Sequence, residues 1–268
     1  MTDDTDSSGP AQGRPALVQA LAQARRLGVQ LQGVEAIHAI ADEEQAFRLM
    51  LDVAQATGWE RRGWKIAATN PMLQQKLRTR GPVCGATFGR FHQSAPAVLR
   101  RDELLDPIIE CEFFFTLAQP LPPRVLAYAE DEVAAAVGAV NAGIEVAECR
   151  YPRLALPPAW YVYADGFASG RYIHGPAVPA WRARLDAGVG VALWRNGRPM
   201  GQGRSSDVMG HPLRAVHWLA NRLREAGVAL NAGDVISSGS CNILAAARAG
   251  DHYVADFEDV GEIVLDVV

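Results

Sequence analysis

Ile108-Ile109-Glu110-Cys111-Glu112-Phe113-Phe114-Phe115 places two acids inside a strongly apolar, β-prone run. In a strand, side chains alternate faces and residues two apart point the same way. Glu110 and Glu112 then share one face, with Cβ atoms roughly 7 Å apart. Two anions held beside a core are costly unless a cation neutralises them. A hard divalent ion such as Mg2+, which takes oxygen ligands, does that. The alternative is an edge strand with both glutamates in water, and the motif alone leaves the two readings open.

A third acid, Glu145, sits mid-run in Gly143-Ile144-Glu145-Val146-Ala147. Two carboxylates on one strand and a third on another form a three-oxygen face for Mg2+ or Mn2+, with positions left for water and substrate. Glu148 faces the other way from Glu145 and reads as solvated. Lys65, in Gly63-Trp64-Lys65-Ile66-Ala67-Ala68, either snorkels to the surface or is held near an anion. Beside a carboxylate cluster it becomes a candidate acid/base or carboxylate anchor. Asp165, in a turn-rich segment, reads as an Asx-turn or cap. Ser238-Gly239-Ser240 is an ordinary turn or a set of donors to an anion. His211, just before Pro212, is a helix cap or a site residue.

The wider chain frames these motifs. At 268 residues and 28.9 kDa it is long enough for a full core, and its 49% hydrophobic and 21% charged content is that of an ordinary globular chain. A net charge of −4 with no dense Lys/Arg block argues against a nucleic-acid or anionic-membrane surface. No apolar run approaches the ~20 residues needed to span a bilayer, and Met1 to Gly9 lacks the features of a secretory signal. Cys84, Cys111, Cys149 and Cys241 have no metal-finger or CxxC spacing. They read as buried thiols of a reducing cytoplasm.

Three regions are expected: a disordered tail (1–14), a helical N-terminal region (15–62) and a β-rich catalytic domain (63–268). Ala16 to Gln32 is helical in composition. Asp42 followed by Gln45 resembles a capping box ahead of an apolar stripe of Ala46, Phe47, Met50, Val53 and Ala54. Strands are expected at 64–68, 108–117, 143–147, 189–194, 199–203, 235–238, 252–257 and 263–267. Asn196-Gly197 marks a hairpin. Helices are expected from about Glu130 to Val140 and from Pro212 to Ala226. Strands dominate without regular alternation with helices, so the class is α+β.

In their order along the chain, GWKIAATNPMLQQKL from Gly63, IIECEFFFTL from Ile108, VNAGIEVAECRY from Val140, ADGFASGRYIHG from Ala164, GHPLRAVHWLANRL from Gly210 and AGDVISSGS from Ala232 carry a resemblance. The chain resembles the 2-keto-4-pentenoate hydratase and 4-oxalocrotonate decarboxylase family of the fumarylacetoacetate hydrolase-like superfamily. The resemblance implies a fumarylacetoacetase C-terminal-like mixed β-roll with a helical N-terminal portion, and a homo-oligomer. It implies Mg2+ or Mn2+ on Glu110, Glu112 and Glu145, catalytic roles for Lys65 and Asp165, and substrate binding by Ser238, Gly239 and Ser240.

The implied activity is hydration of a 2-hydroxy-2,4-dienoate or 2-oxo-4-enoate to a 4-hydroxy-2-oxo acid, as in meta-cleavage catabolism of aromatic compounds. The alternatives are 4-oxalocrotonate-type decarboxylation, a C–C hydrolase, and a non-catalytic partner subunit. Association with a pathway enzyme is a further expectation. The chain departs from the family pattern at Val83, where many members carry an acid, and at Phe167, an added aromatic. Both changes bear on the substrate.

Overall fold

The computed structural model describes residues 10–31, 40–241 and 243–268. Helices α1 (Pro10–Leu27) and α2 (Glu43–Ala56) open the chain. Asp42 caps α2 by accepting from Gln45 N–H at 2.8 Å, and the Gln45 side chain accepts from Ala41 N–H at 2.7 Å. The stripe Ala46, Phe47, Met50 and Val53 is buried. Because α1 begins at Pro10, the helical region reaches into the segment expected as tail; residues 1–9 lie outside the described residues, as does Gln32.

The strands and remaining helices follow in the order β1 (Arg61–Ala67), α3 (Pro71–Leu77), β2 (Val83–Phe88), β3 (His92–Ser94), β4 (Ala97–Leu99), β5 (Ile108–Leu117), α4 (Glu130–Ala136) and β6 (Val137–Ala147). Then come α5 (Ala159–Ala164), β7 (Arg171–Ala177), α6 (Trp181–Ala187), β8 (Gly190–Arg195), β9 (Arg198–Arg204) and α7 (Pro212–Glu225). The chain ends with β10 (Val235–Ser237), β11 (Leu244–Ala246), β12 (Asp251–Asp256) and β13 (Glu262–Val267).

One sheet runs β2-β1-β10-β5-β6-β7-β3, with β11 also on β5; a second runs β4-β13-β12-β8-β9. The two meet where β13 lies against β6 and β7. The architecture is the expected α+β class. Asn196 and Gly197, both at positive φ, make the β8–β9 turn. His211 caps α7 by accepting from Leu213 N–H, which settles its two readings in favour of the cap.

The helix expected from Glu130 to Val140 stops at Ala136. Val137, Val140 and Asn141 instead extend β6 along β5, in a ladder from Leu117↔Val137 to Ile108↔Ala147. β-branched Val137 and Val140 favour the strand, Gly138 disfavours the helix, and pairing with β5 overrides the helical lead-in.

The first sheet curls so that its two ends approach. The His92 ring on β3 lies 3.1 Å from the Thr87 hydroxyl on β2. Strand register places Lys65 opposite Ser237, Ser237 opposite Phe114, Glu110 opposite Glu145, and Glu145 opposite Tyr172. Period-2 alternation therefore lines one continuous face of the roll with the chemically interesting side chains. The opposite face of β5, with Ile109, Cys111, Phe113 and Phe115, belongs to the main core.

Gly85, opposite Lys65, faces the backbone of Gly166: a Cβ there would lie 2.1 Å from Gly166 O. Since backbone cannot swing aside as a side chain does, Gly85→Val is expected to displace this turn and lower stability by about 1–3 kcal/mol. Thermal denaturation measures it, and an unchanged midpoint would show that β2 and the turn are not in contact.

Candidate metal and catalytic centre

Glu112 and Glu145 are fully buried, and Glu110 is half-buried at the edge of the same face. One carboxylate oxygen from each of the three lies within 4.8 Å of the others. That span matches the roughly 4–5 Å across a shell of oxygens around a divalent ion. Glu110 and Glu145 are direct cross-strand partners, a like-charge pairing that destabilises a sheet by itself.

The two buried carboxylates are held alike. Glu112 Oε2 accepts from the Ser237 hydroxyl and, at 3.0 Å, from Gly239 N–H. Glu145 Oε1 accepts from Lys65 Nζ and from the Tyr172 hydroxyl, each at 3.1 Å. The other oxygen of each, Glu112 Oε1 and Glu145 Oε2, is buried with no hydrogen-bond partner among the described residues. A buried acceptor left unpaired costs about 1–3 kcal/mol, and more when charged. Two such oxygens beside a third carboxylate are the donor set that a hard divalent cation requires. The residues present therefore fit a metal.

Charge counting agrees. Three carboxylates face one ammonium, leaving two negative charges uncompensated when all are ionised. Burial, then Glu145 and Glu110, raise Glu112 well above the usual carboxylate range, against the lowering by Lys65 and Ser237. Burial raises Glu145 to about 7, Lys65 working against it and Glu110 with it. Burial alone would lower Lys65, but Glu145, Glu110 and Glu112 together outweigh it, so its ammonium is held above the ordinary range.

Lys65 is only 2% exposed. Of its two readings, the anion-held lysine is the one observed. Besides Glu145 it donates to Phe167 O at 3.1 Å. Gly166, Phe167 and Ala168 all have positive φ, an unusual run that aims this carbonyl into the roll.

Asp165 does not approach Lys65 through its side chain. Its Oδ1 accepts from Arg25 Nε at 2.9 Å and its Oδ2 from Arg150 Nε at 2.8 Å, all three side chains being buried. Its carboxylate is thus committed to an ion triad. What Asp165 anchors is the turn that delivers Phe167 O. The cap reading of this residue is near the truth, since it is the C-cap of α5.

Within Ser238-Gly239-Ser240, Gly239 N–H serves Glu112. The Ser238 hydroxyl accepts from Phe113 N–H at 3.3 Å, and the Ser240 hydroxyl donates to Ile243 O at 2.9 Å. Gly239 has φ +100°, and a Cβ there would meet Thr69 at 2.6 Å, so only glycine presents this N–H. Glu148 corrects its expectation: it is buried, not solvated, accepting from Leu105 N–H and facing Arg171 at 3.4 Å.

Three site residues escaped the sequence reading: Ser237, Tyr172 and Ser169. The Ser169 hydroxyl lies 3.0 Å from that of Tyr172 and 2.9 Å from Ala86 O. Each hydroxyl has one proton. With the Tyr172 proton on Glu145, the Ser169 proton goes to the phenol oxygen or to Ala86 O. Ser237 directly precedes Ser238-Gly239-Ser240, a signal that could have found it; Tyr172 is betrayed only by strand register.

After chelation, the raised carboxylates make the folded state bind more protons than the unfolded chain, up to and somewhat beyond pH ~7. Stability then falls as pH rises through that window. His92, pushed down to about 3 mainly by burial, and His174 and His211, lowered mainly by burial, act oppositely. Their effect ends near pH ~6.5, where the unfolded imidazole loses its proton. Between about pH 6.5 and 8, chelated protein is expected to melt progressively earlier, and excess Mg2+ to remove the slope. A melting temperature that rises with pH in chelator would contradict this charge assignment.

Comparison with known proteins agrees with the geometry. Residues 95–268 match the fumarylacetoacetate (FAA) hydrolase C-terminal family. The chain is 32% identical to the 2-hydroxyhexa-2,4-dienoate hydratase of Comamonas testosteroni, over 79% of this chain and 80% of that protein. It is 28% identical to the 4-oxalocrotonate decarboxylase of Pseudomonas putida, over 75% of each. The solved structure of 4-oxalocrotonate decarboxylase from Pseudomonas putida G7, complexed with magnesium and adipate, superposes with a TM-score of 0.86 at 23% identity, covering 96% of this chain and 98% of that one. With the β-roll, the buried acid triad and the sequence match in agreement, the chain belongs to the fumarylacetoacetate hydrolase C-terminal family.

Proposed function

We propose that this protein is a divalent-metal-dependent hydratase that adds water to a 2-hydroxy-2,4-dienoate to give a 4-hydroxy-2-oxo acid, in the catabolism of aromatic compounds. The observation that carries the reading is the pair of buried, unpartnered oxygens on Glu112 and Glu145 beside a charged Lys65. Glu110, Glu112 and Glu145 would hold Mg2+ or Mn2+. Bound there, the ion supplies Lewis-acid charge that stabilises the negative charge developing on a 2-oxo acid as its conjugated chain is protonated and hydrated.

The chain's own groups do the rest. Lys65 Nζ, kept protonated by the acids around it, is placed to deliver a proton to the diene chain or to hold the substrate carboxylate. Neutralising the acids would remove what holds its pKa up and leave burial, which lowers it, so the same group can then release its proton. Phe167 O fixes the ammonium from a second side. Asp165 acts as a positioning residue through that turn, not as a base, because both its oxygens are ion-paired. Gly239, with Ser237, orients Glu112; we assign the Ser238–Ser240 turn to this support in place of direct substrate binding.

Val83 favours a second reading. It is buried on β2 two residues from Gly85, on the face that carries Lys65, so no carboxylate stands there to activate water. A 4-oxalocrotonate-type decarboxylation needs the same charge stabilisation and no water activation. The four free, buried cysteines fit a reducing compartment, and we place the protein in the cytoplasm. The homo-oligomer is proposed on the family likeness.

The test is loss of dienoate absorbance with Mg2+ and 2-hydroxypenta-2,4-dienoate, run beside 4-oxalocrotonate and EDTA controls. Dienoate loss alone supports the hydratase; CO2 release from oxalocrotonate alone replaces it with the decarboxylase. Glu110→Gln is expected to lower kcat/KM at least about a hundredfold with the fold retained by circular dichroism. Lys65→Met is expected to lower kcat by about 10²–10⁴. Full turnover in EDTA or in Glu110→Gln would remove the metal from the mechanism.

A further inference from the structure

A second concentration of charge lies outside the roll. Arg25 and Arg150, 8% and 4% exposed, share a single carboxylate, that of Asp165. Burial and then Arg150 push the Arg25 guanidinium below its usual pKa, while Asp165 and Glu148 hold that of Arg150 above it against burial. Both side chains line a cleft of about 320 Å3 that also takes in Arg26, Arg90 and Arg171. None of the triad glutamates lines it.

The acids around the cleft are already engaged. Asp102 and Glu103, exposed at its rim, pair with Arg100 at 2.6 and 3.3 Å. Glu148 faces Arg171. Among the described residues, no carboxylate pairs with Arg26 or Arg90. Arg26 donates to Ala56 O at 2.6 Å. Arg90 lies over Trp59, its Cζ 4.7 Å from the ring centroid, and within 5.5 Å of that of Phe91. A guanidinium stacked on a ring keeps its N–H edge free, and that planar fork matches a carboxylate or a phosphate in bidentate fashion.

We propose that this cleft is a second binding site, taking a small oxyanion, carboxylate or phosphate, on the arginines of its wall and rim. The volume lies at the low end of small-ligand pockets, which run from about 300 to 1,000 Å3, so a compact anion fits and a large cofactor does not. The site also adjoins the catalytic face. Arg150 Nη2 donates to Ser169 O at 2.8 Å, the Ser169 hydroxyl meets that of Tyr172, and Tyr172 donates to Glu145. An anion drawn to Arg150 therefore pulls on the residue that backs the Tyr172–Glu145 hydrogen bond. The proposal is independent of the reaction assigned above.

Isothermal titration of the full chain loaded with Mg2+, with inorganic phosphate in one arm and succinate in the other, tests it against Arg26→Gln/Arg90→Gln. Both side chains are exposed, so the variant is expected to melt as the unaltered protein does. One anion per chain is expected, with affinity at least about tenfold weaker in the double variant; the arm that binds tells carboxylate from phosphate. No binding of either anion at millimolar concentration would overturn the site. So would equal binding to the double variant, which would seat the anion elsewhere.

Discussion

Three carboxylates and one ammonium are packed into the interior face of a curled sheet, and their charges do not balance. Most of the surrounding structure manages that imbalance. β5 supplies Glu110 and Glu112, β6 supplies Glu145 directly across from Glu110, and β1 brings Lys65 to Glu145. Each fully buried carboxylate has one oxygen pinned by two donors and the other left bare. Hydrogen bonds orient the acids, and the Lys65 ammonium offsets only one of their three charges. Together with Glu110, the two buried acids present a clustered oxygen donor set that suits a divalent cation.

The scaffold outside the roll serves the same arrangement. Asp165 is locked between Arg25, from the first helix, and Arg150, after β6. The N-terminal helical region is therefore tied by a buried ion pair to the turn that presents Phe167 O to Lys65. Breaking one partner of such a triad costs several kcal/mol, because a charge is left buried and unpaired. Gly85 lets β2 approach the same turn, and Gly239 lets a backbone N–H reach Glu112 where a side chain would collide with Thr69.

Local sequence carried what depends on period and composition. The Glu110-Cys111-Glu112 alternation, the strand around Glu145, the capping box at Asp42 and Gln45 and the Asn196-Gly197 turn were all legible, because each is decided within a few residues. What escaped is decided at long range. Tyr172 and Ser237 are unremarkable until strand register sets them against Glu145 and Glu112. Asp165 was expected to be catalytic, but its partner Arg25 lies 140 residues away, and only the fold shows its carboxylate paired with Arg25 and Arg150. The α4–β6 junction misled for a related reason: an acidic, alanine-rich start reads as a helix that continues, whereas pairing with β5 claims the chain from Val137 onward.

In the proposed centre, Glu110, Glu112 and Glu145 hold one divalent ion. Electron paramagnetic resonance of Mn2+ titrated into chelated, dialysed protein counts bound ions directly, independent of any substrate. One tight Mn2+ per chain is expected, competed by Mg2+ and lost in Glu112→Gln/Glu145→Gln while the fold persists. Tight binding that survives in that double variant, or none in the unaltered protein, would contradict the proposed centre.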